Sequence, residues 1–147
     1  MSNEKNNPIP QGKYVSATRF ENLIYTAGMT PRKNGELIQK GKVDHNESVS
    51  FYKKAVRQAA ENALIAVENT LQEQEILKQV LLLNVYVNAE DSFEAHAALA
   101  DFASEYLFEQ IGEIAIGSRA AIGVASLPGN APVEIQMVVG VSTSKGE

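Results

Sequence analysis

Two charged residues stand in otherwise apolar stretches near the end of the chain. Arg119 opens, and Glu134 nearly closes, the run R-A-A-I-G-V-A-S-L-P-G-N-A-P-V-E-I. By strand alternation Arg119 shares a face with Ala121, Gly123 and Ala125, so its guanidinium would project over small residues with room for a ligand. A planar guanidinium holds a carboxylate through two parallel hydrogen bonds, and a carboxylate in a partly dry cleft can take a proton from water at neutral pH. Together they suit a small keto, imino or amino acid. The alternative is that both are strand-end charges or a structural ion pair. If the two strands form a hairpin with Ser126 opposite Val133, Glu134 faces Ala125, about 20 Å from Arg119 at strand rise. The pair could then cooperate only across a subunit boundary.

Other chemistry finds little support. The chain has no cysteine, which excludes disulfides and thiolate chemistry, and two histidines cannot by themselves form a zinc site. His96 lies on the apolar side of a helical pattern and reads as a packed residue; His45, beside Asp44 in a polar loop, reads as exposed. Arg57, Glu61 and Asn62 read as solvent or helix-edge groups. There is no phosphate loop, nucleophile elbow, zincin helix or dinucleotide fingerprint. The net charge of -5, with scattered basic residues, argues against nucleic acid as a main partner. No metal or cofactor is expected.

The elements that must position Arg119 and Glu134 fit one domain. At 147 residues, 44% hydrophobic and 21% charged, the chain is long enough for one core and too short for two. A loose arm is expected over residues 1–11, a single domain over 12–141 and a frayed tail over 142–147. Tyr14 to Arg19 and Leu23 to Thr26 read as short strands, followed by a turn from Pro31 to Gly35. Apolar residues at spacings of three and four from Tyr52 to Leu71 predict a helix capped by Asn46 or Ser48, with alanines that let it lie close to a sheet. Val80 to Val87 is apolar on both alternating faces, as in a strand buried on two sides. A second helix runs from a cap at Ser92 to Gly112, and Arg119–Leu127 and Val133–Val141 read as strands around a Pro-Gly turn. The order β, β, α, β, α, β, β suits an α+β sandwich with two helices on one face of a mixed sheet. The bare face must then be covered by another copy of the chain. With no membrane-length apolar run and a polar start, the chain reads as cytoplasmic.

The pattern R-x-x-x-x-V-x-x-L-P-x-x-x-x-V-E-I resembles the C-terminal signature of the YjgF/RidA family, also labelled L-PSP endoribonuclease-like. Tyr14 in G-K-Y-V-S-A, the run N-L-I-Y-T-A-G-M-T-P around Gly28, the helix A-V-R-Q-A-A-E-N-A-L and the V-Y-V-N strand join it, within a branch having a longer segment before the arginine strand. The resemblance implies a chorismate-mutase-like fold and a homotrimer whose sheets face a central barrel, with three inter-subunit clefts. It also implies hydrolysis of small 2-imino acids to 2-keto acids and ammonia, without cofactor. Arg119 would clamp the carboxylate, Glu134 would orient or deprotonate the attacking water, and Tyr14 and Gly28 would line the cleft. Ala27 replaces the family's serine, Met29 its glutamine and Ala121 its cysteine, so the pocket is less polar than the family pattern. Asp101, where the family has asparagine, would repel a bound carboxylate. A non-catalytic trimer binding a small carboxylate is the second reading, and ribonuclease activity a third, weaker in an acidic chain.

Overall fold

The helical periodicity produces two helices of equal length. A computed structural model describes residues 6–143, so the first five residues of the expected arm and the last four of the expected tail lie outside it. Helix α1 spans Lys53–Glu68 and follows a 3-10 turn at Val49–Tyr52. Its Ala55, Ala59, Ala60, Ala63 and Ala66 are all buried, and the small side chains let its axis approach the sheet. Ser48 occupies the N-cap of the 3-10 turn, but its Oγ meets Ser50 Oγ at 3.0 Å rather than a backbone N–H, so the expected cap bond is not made. Helix α2 spans His96–Ile111 and starts four residues after Ser92. Ser92 bonds His45 Nδ1 at 2.6 Å instead of capping, and buried Phe93 anchors the entry to the helix. Asn62 also departs from expectation. It is buried, and its amide donates to the carbonyls of Thr30 and Arg32 at 3.1 and 2.9 Å, because α1 turns this position onto the loop after the first strands.

Strands β1 (Ala17–Phe20), β2 (Leu23–Thr26), β5 (Glu75–Asn88), β6 (Ser118–Val124) and β7 (Val133–Thr143) make one mixed sheet in the order β1-β2-β7-β5-β6. The segment expected as a plain turn forms a small separate hairpin, β3 (Arg32–Lys33) with β4 (Glu36–Leu37), whose Asn34 and Gly35 both take positive φ. The expected frayed tail starts later than residue 142, because β7 continues through Thr143 in register with β5.

The expected β6–β7 hairpin does not form. Strand β6 pairs in parallel with β5, and β7 pairs antiparallel with the other side of β5. The physical reason is the crossover: β5, α2 and β6 make a strand–helix–strand unit, which places its second strand parallel to its first. The link from β6 to β7 must therefore pass over the end of β5, where buried Asn88 holds it. The Asn88 amide donates to Ala131 O at 2.9 Å and Asn130 Oδ1 at 3.1 Å, while its N–H donates to Pro132 O at 2.9 Å.

Both helices cover one face. Leu83, Val85 and Val87 of β5, with Val133, Ile135, Met137 and Val139 of β7, point into that core and are buried. Burying side chains of this size contributes about 1.5–3 kcal/mol each. On the other face, register places Phe20, Tyr25 and Ile122, all exposed, around a polar centre in which Asn84 and Tyr86 donate to Gln136 Oε1 at 3.3 and 3.0 Å.

Candidate functional site

Strand alternation sends Val133 and Ile135 into the core and Glu134 to the open face. The chain leaving β2 crosses at this point: Met29 and Ile135 exchange backbone hydrogen bonds of 2.7 and 2.9 Å, which brings Gly28 directly beneath the Glu134 side chain. A Cβ at Gly28 would overlap Oε2 of Glu134 and stand 2.8 Å from its Cδ. The carboxylate is seated on bare backbone, in a cavity of about 360 Å³ lined by Gln11, Tyr14, Ala27, Thr30, Arg32 and Pro128. Tyr14 is fixed at the mouth, its hydroxyl accepting from Gln11 N–H at 2.9 Å. Burial raises the Glu134 pKa above the ordinary carboxylate value, which brings proton exchange closer to neutral pH.

Arg119 lies elsewhere. It faces the helix side of edge strand β6, beside Leu83. Its guanidinium turns to α2 rather than over Ala121 and Gly123, with Nη1 donating to Asp101 Oδ1 at 2.8 Å and Ser104 Oγ at 3.1 Å, and Nη2 to Ala97 O at 3.3 Å. His96 covers Gly123, where a Cβ would come within 2.7 Å of Nε2. Its ring also stacks edge-on against Phe93 at 5.0 Å. Arg119 and Glu134 therefore leave opposite faces of the sheet, two strands apart. The sequence-derived candidates divide into two groups. Tyr14, Ala27 and Gly28 gather round Glu134, whereas Asp101 and Ala121 accompany Arg119. Met29 is buried in the apolar core.

A profile of the family described as endoribonuclease L-PSP matches residues 4–141. The chain belongs to the YjgF/RidA family. Among solved structures, the chain resembles protein Atu1372 of Agrobacterium tumefaciens, of unknown function. The two are 30% identical with a TM-score of 0.80, over 94% of this chain and 87% of that one. The YjgF gene product of E. coli shares the fold at 22% identity and a TM-score of 0.68, over 92% and 93% of the two chains. Protein TCP17 of Trypanosoma cruzi is 28% identical over 88% of this chain and 82% of its own.

In this YjgF/RidA chain, sequence reasoning missed four residues of the Glu134 cavity: Gln11, Thr30, Arg32 and Pro128. Arg32 sits in P-R-K-N-G, which reads as a turn. The available signal was that it is one of only four arginines; pairing, which separates it from the others, is not visible in sequence. Among the described residues no group of three or more His, Cys, Asp or Glu is arranged to hold a metal ion, and no helix is long and apolar enough to cross a membrane.

Proposed function

We propose that the protein hydrolyses small 2-imino acids to 2-keto acids and ammonia, in a cleft where Glu134 of one protomer meets Arg119 of a neighbour. The observation that carries this reading is the seating of Glu134 on Gly28, half-buried and with a raised pKa, beside a cavity large enough for a small ligand. The Glu134 carboxylate takes a proton from water as the oxygen adds to the imine carbon, and passes it to the imine nitrogen to give a carbinolamine. Glu134 then takes the carbinol hydroxyl proton and delivers it to nitrogen as the carbon–oxygen double bond forms and the carbon–nitrogen bond breaks, so imine and water become ketone and ammonia. Arg119 holds the substrate carboxylate, supplied from a neighbour because it cannot reach Glu134 within one chain. The uncovered apolar sheet face supports self-association, here as a trimer.

The test is a coupled assay in which 2-iminobutanoate is generated in situ and the appearance of 2-ketobutyrate is timed. Wild-type protein should accelerate it, and Glu134→Gln and Arg119→Ala should not; no acceleration by wild type refutes the reading. Sedimentation should give three times the 16.0 kDa chain mass, and a monomer would contradict the shared cleft.

One observation favours a second reading, a non-catalytic trimer that binds a small carboxylate. Asp101 occupies Arg119 at 2.8 Å, so a ligand carboxylate must displace it. Saturable binding of 2-ketobutyrate without turnover, strengthened in Asp101→Asn, would select this reading.

A further inference from the structure

We propose that Arg32 makes the Glu134 cavity select ligands with a second carboxylate, remote from the reacting carbon. This deepens the proposed function and rests on it for the placement of the first carboxylate at Arg119. The chain has four arginines. Three are paired with carboxylates: Arg19 with Glu75 at 2.7 Å, Arg57 with Glu109 at 2.7 Å, and Arg119 with Asp101 at 2.8 Å. Arg32 has no carboxylate partner among the described residues, Glu134 included, although it lines the same cavity as Glu134.

The root of the Arg32 side chain is fixed. Its N–H donates to Thr30 O at 2.8 Å, its carbonyl accepts from Asn62 at 2.9 Å, and its Cα is paired with Leu37 in the small hairpin. The guanidinium is only partly satisfied. Nη1 donates to Gly35 O at 2.9 Å, while Nε is buried with no acceptor and Nη2 makes no hydrogen bond among the described residues. Nη2 faces Gly129, where a Cβ would stand 3.3 Å away. An arginine whose Nε–H and one terminal N–H both lack acceptors presents an unused edge, the fork that matches a carboxylate. Leaving such a donor buried and unpaired is costly, and a ligand carboxylate in the cavity is the acceptor we assign to it. With Glu134 at one end and Arg32 on the wall, the cavity suits a four- or five-carbon acidic imino acid, of the kind derived from aspartate or glutamate.

Calorimetric titration of the full-length protein with 2-oxoglutarate and with 2-oxobutyrate tests this, because both are keto-acid products and binding needs no turnover. Wild type should bind 2-oxoglutarate more tightly by on the order of 10- to 100-fold, the worth of one charge-assisted pair. Arg32→Leu should abolish that preference by weakening 2-oxoglutarate alone, and Arg32→Lys should retain part of it. Equal wild-type affinities, no binding of either acid, or an equal loss for both in Arg32→Leu would overturn the inference. So would displacement of 2-oxoglutarate by inorganic phosphate at similar concentration, which would mark a general anion site. The wild-type comparison decides the matter even if a variant fails to fold. Diacid preference without imine hydrolysis would overturn the proposed reaction alone, while hydrolysis of 2-iminobutanoate without diacid preference would overturn this inference alone.

Discussion

Replacing Gly28 by alanine separates the positioning of Glu134 from the stability of the fold. The new Cβ would overlap Glu134 Oε2 and lie 2.8 Å from Cδ and 3.1 Å from Cγ, where carbon contacts normally sit at about 3.5–4.0 Å. Gly28 is not among the glycines with positive φ, so its backbone accepts alanine. The strain must be relieved by the flexible end of Glu134, whose carboxylate has to swing by about 1 Å or more. Holding a side chain off its preferred rotamer costs about 0.5–1.5 kcal/mol, and loss of glycine from the unfolded chain returns about 0.4–1 kcal/mol. The net loss is at most about 1 kcal/mol, a fall in Tm of about 4 °C. A misplacement of about 1 Å at a reacting group costs on the order of 100-fold in rate. Gly28→Ala should therefore melt close to wild type while kcat/KM for imine hydrolysis collapses. The Glu134 carboxyl, followed by NMR titration, should move back toward its ordinary pKa as it leaves its buried seat. Unchanged kinetics with an unchanged pKa would refute the seating of Glu134 on Gly28. Gly117→Ala is the contrast: its Cβ would overlap the carbonyl oxygen of Val80, which cannot swing aside, so the cost of about 2–3 kcal/mol falls on stability.

Asn62→Ala should destabilise by about 2–3 kcal/mol in urea unfolding, since it leaves the carbonyls of Thr30 and Arg32 without their donor; a loss within experimental error would remove Asn62 as the brace of that loop. Burial raises the Glu134 pKa, so the stability linked to its proton is fully present below about pH 4.5 and is lost as pH rises through the raised value. Glu134→Gln should accordingly melt higher than wild type at about pH 8 and show no such gain near about pH 4, and a difference independent of pH would contradict burial as the cause. The Glu75 carboxyl is drawn down from 4.5 to about 2, first by the Arg19 side chain and next by the N–H of Gln72. Its contribution to stability is present above pH 4.5 and lost as pH falls toward 2. In Arg19→Gln a carboxyl titration should return Glu75 most of the way to its ordinary value; a Glu75 that still titrates near 2 would shift the credit to Gln72.

Local patterns were legible wherever one periodicity ruled a segment. The alanine-rich spacing from Tyr52 onward identifies α1 because a helix against a sheet needs a continuous small face. The run Val80 to Val87 identifies the second half of β5, which is buried or half-buried on both faces from Leu82 to Asn88. What misled was the Pro128 to Pro132 link. A short turn-like segment between two strands reads as a hairpin, yet the same length of chain spans the end of an intervening strand when a buried side chain such as Asn88 holds it there. The start of α2 was misplaced for a related reason. Ser92 has the chemistry of a cap, but its hydroxyl found His45, more than forty residues away in the chain.

The chain's own order of residues determined the α+β class, the apolar core and the presence of Arg119 and Glu134 as charges in strands, because alternation and helical spacing are properties of neighbours in sequence. Tertiary structure alone decided which sheet face each charge leaves and which partner each finds. Insertion of β5 between β6 and β7 put Arg119 and Glu134 on opposite faces and gave Arg119 to Asp101, and the crossing of the chain at Met29 and Ile135 seated Glu134 over Gly28. Those outcomes depend on strand order and on the distance between remote segments, and no local spacing encodes either.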